Sequence, residues 1–274
     1  MTRKRRNLII VEIVLLVIAC LFVYPFLLVV INSLKPYAEV MTDVIALPKA
    51  WEFENYKQVW QLMDYPKLFG NTLFVTVVSI AGIVLFGSMA AYKLVRTKSW
   101  LSTLLFFVCI APMMLPFQSF MITLIKLSKN LHLMNSLPGL TFIYWGLGCP
   151  LAVFLFHGFI KSIPFELEES ATIDGCSPYR TFFSIIFPIM KPVTATVVIL
   201  NVMWIWNDFL LPLIMLNGNQ ATLQLAAYQF FGQYKSEWQF ALAAVVLTTL
   251  PPVIFFLIMQ KNIMKGMVAG AVKG

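Results

Sequence analysis

The chain has 274 residues, of which 60% are hydrophobic and only 12% are charged, with a formal net charge of +8. A soluble globular domain carries about 25% charged residues, and 24 Phe, 9 Tyr and 7 Trp present more apolar surface than a single core removes from water. A water-soluble fold, a disordered chain, collagen and a coiled coil are therefore excluded. The expected solvent for most of the surface is lipid.

Apolar runs of membrane-spanning length occur six times along the chain. About 20 apolar residues in a helix cross the bilayer core, and no run shows the period-2 alternation of a membrane β-strand. The first run lacks a small-residue cleavage site near Tyr24 and carries Glu12, so it is a retained span and not a secretory signal. The fold class is all-α and polytopic, with six transmembrane helices expected at 8–31, 71–94, 101–125, 137–160, 193–216 and 239–260.

The basic residues orient these six spans. Thirteen of the twenty Lys and Arg lie on the side of the two termini, so both termini are expected in the cytoplasm. The chain then divides into four parts, which are an N-terminus with the first span (1–32), an outer loop (33–70), a core of five spans (71–260) that contains a cytoplasmic loop (161–192), and a cytoplasmic Gly-rich tail (261–274).

Sequence motifs for catalysis or metal binding do not occur. The four cysteines have no close pairing, the two histidines are far apart, and neither a phosphate-binding G-x-x-x-x-G-K-[ST] string nor a hydrolase or zinc-protease motif is present. We therefore expect no catalytic residue, no metal site and no cofactor in this chain, which is not expected to be an enzyme. A membrane enzyme would need several polar groups converging within the spans, and the spans contain very few.

The cytoplasmic loop predicts two short helices joined by a tight turn. Pro164 suits the first position of a helix whose first turn is acidic, and Gly175 suits the left-handed conformation that ends it. Ser177 and Pro178 then open a second helix, which later prolines limit or kink. One apolar stripe follows helical spacing on this second helix, and we expect it to pack beneath the spans: Tyr179, Phe182, Phe183 and Ile186.

This loop resembles a known motif. The string from Glu169 to Pro192 is similar to the EAA loop of binding-protein-dependent ABC importer permeases, with small residues, Ser170 and Cys176, at two positions where Ala is usual. In that family the loop docks into a groove on a cytoplasmic ATPase subunit and transmits ATP-driven closure as a rigid-body motion. The resemblance implies that the docking residues are Glu169, Ala171, Asp174 and Gly175.

The resemblance covers nearly the whole chain and narrows the family to the maltose-type carbohydrate permeases. The similar segments are Asn-Ser-Leu-Lys-Pro at 32–36, Glu-Asn-Tyr at 54–56, Gly-Asn-Thr-Leu at 70–73, Trp-Asn-Asp-Phe-Leu at 206–210 and the tail at 265–274. The resemblance implies the type I ABC importer architecture in a bacterial or archaeal cell membrane. It also implies a second homologous permease subunit, two cytoplasmic ATP-binding subunits that use the ATP, an extracytoplasmic solute-binding protein and a sugar substrate.

Polar and aromatic residues within the spans are the candidates for a sugar path. Asp208 is an intramembrane carboxylate and must face protein or water. In one interpretation it lines this path together with Asn201, Trp204 and Asn207. In the other, Asp208 and Asn207 form hydrogen bonds with backbone groups that are freed near Pro212. Two further aromatic candidates are Tyr144 and Trp145. The sequence favours a permease subunit of an ABC sugar importer working by alternating access. The alternatives are an importer of the same architecture for another solute, such as glycerol phosphate, and a membrane protein that works without an ATPase.

Overall fold

The structure is a computed structural model that describes residues 3–217, 220–231 and 237–271, with side chains described from residue 7 to residue 260 of these ranges. Within them the chain is helical and has no strand. The side chains at 3–6 and in the tail at 261–274 lie outside the described set. The helices are α1 Arg3–Ser33, α2 Tyr37–Thr42, α3 Glu54–Leu62, α4 Tyr65–Arg96, α5 Trp100–Ile110, α6 Phe117–Asn130, α7 Leu137–Ile160, α8 Glu166–Ile173, α9 Pro178–Thr181, α10 Phe187–Ile189, α11 Lys191–Asn207, α12 Leu210–Met215, α13 Leu223–Tyr228 and α14 Trp238–Ala271.

Membrane-spanning character is found in four single helices and two bent helix pairs of the described chain. The four helical stretches are Asn7–Ser33, Tyr65–Arg96, Leu137–Ile160 and Trp238–Gln260. The pairs are Trp100–Met114 with Phe117–Asn130, bent by 107°, and Pro178–Ile189 with Lys191–Asn207, bent by 76°. Counting each pair once gives up to six spans by length and composition, and the all-α membrane fold expected from the sequence is confirmed.

The third predicted span, at 101–125, is not one straight helix. It breaks at Leu115, whose backbone is extended with φ −98° and ψ 130°. The cause is local, because the residue before a proline is driven out of the helical region, and Pro116 follows. A short 3-10 turn at Ala111–Met114 leads into this break, and α6 then leaves in a new direction.

The fifth predicted span, at 193–216, is also wrong as a continuous helix. Helix α11 ends at Asn207, Asp208 is extended with φ −71° and ψ 128°, and the short α12 follows. Pro212 explains the break, because a proline has no N–H to donate to the carbonyl four residues earlier and its ring collides with that carbonyl. The residue four positions before Pro212 is Asp208.

The chain divides into two compact units, Met1–Leu68 with Leu225–Leu250 and Phe69–Gln224 with Pro251–Gly274. In the first unit, a polar network folds the segment after α1. The fully buried Lys35 ammonium donates to the Asn32 side chain at 3.0 Å and to the Asp43 carbonyl at 2.8 Å. The Asn55 amide donates to the carbonyls of Ser33 and Lys35. These bonds fix the course of the outer loop without a strand or a disulfide.

The side chain of Asp43 closes the turn at the end of this network. Its carboxylate accepts hydrogen bonds from the backbone N–H groups of Ala46 and Ile45 at 3.0 and 3.1 Å. Because these bonds favour the ionised form, they hold the pKa of Asp43 below its ordinary value. The group is fully exposed, so this is a local effect on the turn.

In the second unit, small residues bring α4 and α7 close together. A Cβ on Gly82 would lie 2.1 Å from the Trp145 indole nitrogen, and one on Gly87 would lie 2.8 Å from the Ala152 side chain. On the facing helix, a Cβ on Gly148 would lie 2.3 Å from the Ile83 side chain. Contacts of this kind favour association in lipid, where apolar surface alone gives no preference for protein over solvent.

Candidate functional site

The loop at 161–192, which the sequence predicts to be cytoplasmic, forms the expected helix, turn and helix. Helix α8 starts at Glu166, two residues later than Pro164 suggests, with Phe165 as its N-cap, so the prediction for Pro164 is wrong. Gly175 has a φ of +79° and ends α8 as expected. The Ser177 hydroxyl accepts a hydrogen bond from the Arg180 backbone at 3.3 Å and caps α9.

The apolar stripe on the second helix is only half buried. Phe182 and Ile186 are buried as expected, whereas Tyr179 and Phe183 are exposed, and the prediction is wrong for these two. A π-helical turn at Phe182–Ile186 follows α9, with the Phe187 N–H bonded five residues back to the Phe182 carbonyl. The segment from Tyr179 to Ile186 is therefore not one regular helix with a 3.6-residue repeat.

The four predicted docking residues occupy different positions on this loop. Glu169, Asp174 and Gly175 are exposed, and Ala171 is buried on the inner face of α8. The exposed tip carries a residue that the sequence analysis did not select, Ile173, which is 86% exposed beside the turn. Its position immediately before the Asp-Gly pair was the available signal.

The base of α8 is attached to the end of α4 by a buried ion pair. The Arg96 Nε atom donates to Glu168 Oε1 at 2.6 Å, and the Tyr92 hydroxyl donates to Glu168 Oε2 at 2.6 Å. The Arg96 guanidinium also donates to the Ile163 carbonyl at 3.1 Å. Glu168 is only 7% exposed, so both carboxylate oxygens are satisfied within the protein. Sequence reasoning missed this anchor, since Glu168 stands among three glutamates at 166–169.

A cavity lies where the two broken helices meet α7. It has a volume of about 360 Å³ and is lined by residues of the 112–120 break, by Gly146, Leu147 and Pro150 of α7, and by Trp204, Asp208 and the start of α12. This volume is in the lower part of the range of small-molecule sites, which is about 300–1,000 Å³. Interrupted helices place polar backbone and side chains at membrane depth only where they line a cavity or pack within protein.

Three of the six predicted path residues come together at this cavity. The Tyr144 hydroxyl donates to Asp208 Oδ2 at 2.8 Å, and the Tyr144 and Trp204 rings form a T-shaped pair with 5.5 Å between centroids. The other Asp208 oxygen, Oδ1, accepts from the backbone N–H groups of Leu210 at 3.0 Å and Leu211 at 3.5 Å. Asp208 therefore lines the cavity and also caps the break near Pro212, as one of the two interpretations expected of its carboxylate, whereas Asn207 does not bond to the freed backbone groups there.

The other three candidates lie elsewhere. The Asn207 amide group donates to the Met203 carbonyl within α11, and its oxygen accepts from Gln224. Asn201 is buried, with its oxygen facing Gly148. The Trp145 indole donates to the Val78 carbonyl at 3.0 Å. Asn201 and Trp145 thus belong to helix interfaces in the described chain.

The described helices thus form a bundle with a cavity at the breaks near Leu115 and Asp208. The bundle also carries the helix pair α8 and α9, which is exposed at its tip and attached to α4 at its base. The model of the family "Binding-protein-dependent transport system inner membrane component" matches residues 83–268. The chain belongs to this family, which confirms the resemblance found in the sequence and places the protein among transporter permeases.

Permeases of known transport systems match the chain along most of its length. The probable starch degradation products transport system permease protein AmyC of Thermoanaerobacterium thermosulfurigenes is 39% identical, covering 94% of each chain. The melibiose/raffinose/stachyose import permease protein MelC of Bacillus subtilis is 33% identical, covering 99% of each. A bacterial ABC transporter that imports the acidic polysaccharide alginate shares the fold, with a TM-score of 0.76, 22% identity, and coverage of 95% of this chain and 98% of that one.

Proposed function

We propose that the chain is the permease subunit of an ATP-binding-cassette importer that moves a mono- or oligosaccharide. The similarity along nearly the whole chain to permeases named for the transport of starch degradation products and of melibiose, raffinose and stachyose supports this. In this proposal a second homologous permease completes the path, and a solute-binding protein delivers sugar from outside. Two cytoplasmic subunits hydrolyse ATP, so this chain needs no cofactor. Both termini lie in the cytoplasm of a bacterial or archaeal cell, on the side of most basic residues.

The observation that carries the proposal is the anchored helix pair of the cytoplasmic loop. Its tip, with Ile173 and Asp174, is exposed, while its base is held to α4 through Glu168 and Arg96. A rigid element that is exposed at one end and attached to a span at the other transmits a push from a docked ATPase to the span bundle. We therefore assign docking to Glu169, Asp174 and Gly175, with Ala171 packing the inner face of α8.

The cavity at the helix breaks is proposed as this chain's part of the sugar path. The Asp208 carboxylate accepts hydrogen bonds from hydroxyl groups, and the Trp204 ring, 40% exposed, offers a face on which a sugar ring stacks. Tyr144 orients Asp208 from behind. Asn207 lies outside this cavity, bonded to the Met203 carbonyl and to Gln224, and Asn201 and Trp145 hold the helices that form the cavity. Alternating access would open the path to one side at a time as the helices on either side of the breaks move.

The negative charge of Asp208 at the cavity favours a neutral sugar over glycerol phosphate as the transported solute. A negatively charged solute such as glycerol phosphate would face the carboxylate of Asp208, and no Lys or Arg lines the cavity to offset the repulsion. A neutral sugar avoids this cost. The anchored docking loop favours an ATPase-driven importer over a carrier that works without an ATPase.

The test is substrate-stimulated ATP hydrolysis. The chain is purified with a candidate partner permease, ATPase and binding protein from the same organism, reconstituted in nanodiscs, and assayed with a panel of mono- and oligosaccharides and with glycerol phosphate. We expect at least one sugar to stimulate hydrolysis through the binding protein. Stimulation by glycerol phosphate alone would overturn the sugar assignment, and sugar uptake by the chain without an ATPase would overturn the importer assignment.

A further inference from the structure

A second, more polar cavity lies at the ends of three helices on the side of the cytoplasmic loop. It has a volume of about 240 Å³ and is formed by the last turn of α4, the first turns of α5 and the last turn of α7. Its basic lining residues are Lys98, Lys161 and His157. His157 and Lys161 are four residues apart, so they lie on the same face of the chain at the end of α7.

The cavity carries positive charge without compensation. None of its eleven lining residues is Asp or Glu. Neither Lys98 nor Lys161 forms an ion pair with any described side chain. The ion pairs among the described side chains join Lys57 to Glu54 and Arg96 to Glu168. Like charges that face one small space repel each other, and an anion between them removes the repulsion.

Hydrogen-bond donors accompany the charges. The Ser99 oxygen accepts from the Ser102 N–H at 3.1 Å as the cap of α5, which leaves the Ser99 hydroxyl hydrogen for another acceptor. The Thr97 hydroxyl also lines the cavity. The His157 ring is stacked on Phe106 with 3.8 Å between centroids, which fixes the plane of the imidazole beside the cavity. Ammonium groups, hydroxyls and an imidazole form a donor set that suits phosphate oxygens.

The cavity lies at the boundary between lipid and water. Helix α5 begins at Trp100, which is 77% exposed, as is typical of an aromatic side chain at the headgroup level. From there α5 presents a continuous exposed apolar face that includes Leu104, Phe107 and Val108. Phe107 also lines the cavity. A ligand with an anionic head and apolar chains fits both surfaces at once.

We propose that this cavity binds the phosphate of an anionic phospholipid. Lys98 and Lys161 pair with the phosphate, Ser99 and Thr97 donate hydrogen bonds to it, and the acyl chains lie along the exposed face of α5. Basic cavities between span ends are sites of this kind. The lipid would fix the end of α5 against α4 and α7, beside the helix end that holds the docking loop.

The experiment counts bound lipid directly. The full chain with its copurifying subunits is delipidated and titrated with dioleoylphosphatidylglycerol, and bound lipid is measured by native mass spectrometry. Each lysine near a phosphate contributes about fivefold in affinity, so the double variant Lys98→Gln/Lys161→Gln is expected to bind about 30-fold more weakly at one site per chain. The control Lys93→Gln/Lys191→Gln removes two exposed charges outside this cavity and leaves that site intact.

Three further binding measurements could each contradict the proposed lipid site. Equal binding of dioleoylphosphatidylcholine would show that the phosphate charge is not recognised, and equal binding by both double variants would show that the cavity is not the site. Displacement of the lipid by millimolar inorganic phosphate would assign the cavity to a soluble anion. Any of these three results overturns the lipid site, and none depends on which solute is transported.

Discussion

The attachment of α8 to α4 gives the sharpest test of how the docking loop is held. Arg96→Ala removes the bond from Nε to Glu168 Oε1 and the bond from the guanidinium to the Ile163 carbonyl. The Glu168 carboxylate then stays buried with Tyr92 as its remaining donor in the described chain. Breaking a buried ion pair from one side costs about 3–5 kcal/mol, because the other charge is left without compensation.

The magnitude is measured by a double-mutant cycle on thermal unfolding of the purified complex. Glu168→Ala removes the buried charge, so the double variant is expected to be less destabilised than the sum of the single variants by about 1.5–3 kcal/mol. The loop should also lose its attachment, so less ATPase should copurify with Arg96→Ala while the chain remains inserted in the membrane.

The matched control is the exposed pair between Lys57 and Glu54, with 3.1 Å between Nζ and Oε1 and both side chains largely in solvent. Lys57→Ala is expected to change the free energy of unfolding by less than about 1 kcal/mol. The reasoning is refuted if Arg96→Ala and Glu168→Ala are additive within about 0.5 kcal/mol. It is refuted equally if Arg96→Ala costs no more than the Lys57 control.

Three further changes have defined outcomes. Gly82→Ala places a Cβ against the Trp145 ring and should lower the free energy of unfolding by about 1–3 kcal/mol. The control Gly70→Ala, also in α4, meets nothing within 4 Å and should leave the stability unchanged or raise it. Equal effects of the two substitutions would contradict the close packing of α4 and α7. Gly175→Val forces a β-branched residue to a φ of +79°, and ATPase copurification should fall while membrane insertion is retained; unchanged copurification would argue against docking at this turn. Asp208→Ala removes the acceptor of two backbone N–H groups and should lower the free energy of unfolding by about 1–3 kcal/mol. Asp208→Asn keeps an oxygen at this position, so it should destabilise the protein less but still lower sugar transport. Wild-type transport by the Asn variant would show that the carboxylate is not needed in the sugar path.

Local rules in the sequence predicted the end of α8 and the cap of α9, but not the start of α8 or the exposure of Tyr179 and Phe183. Gly175 and Ser177 act through their own backbone and nearest neighbours, so a helix end and a cap were predictable without any tertiary contact. The anchor was not predictable in this way. Three glutamates crowd 166–169, and only the packing of α8 against α4 decides that Glu168 is buried and meets Arg96, 72 residues away.

The two broken spans show a different limit. Pro116 and Pro212 were visible in the sequence, and each forbids a particular helical hydrogen bond. Hydropathy, however, averages over about 20 residues and does not register an interruption of one or two residues inside an apolar run. The expected spans at 101–125 and 193–216 were therefore drawn through both breaks.

The sequence by itself determined that the chain spans a membrane with six apolar runs, because the scarcity of charge leaves lipid as the only suitable solvent. It also determined the turn that ends α8, since a glycine acts locally. Only the tertiary structure decided which of the candidate path residues meet. Tyr144, Trp204 and Asp208 come together at the cavity, while Asn201 and Trp145 pack between helices. The physical reason is that the direction of a side chain in a bundle depends on helix rotation and on helix breaks, which are set by packing between segments far apart in the chain.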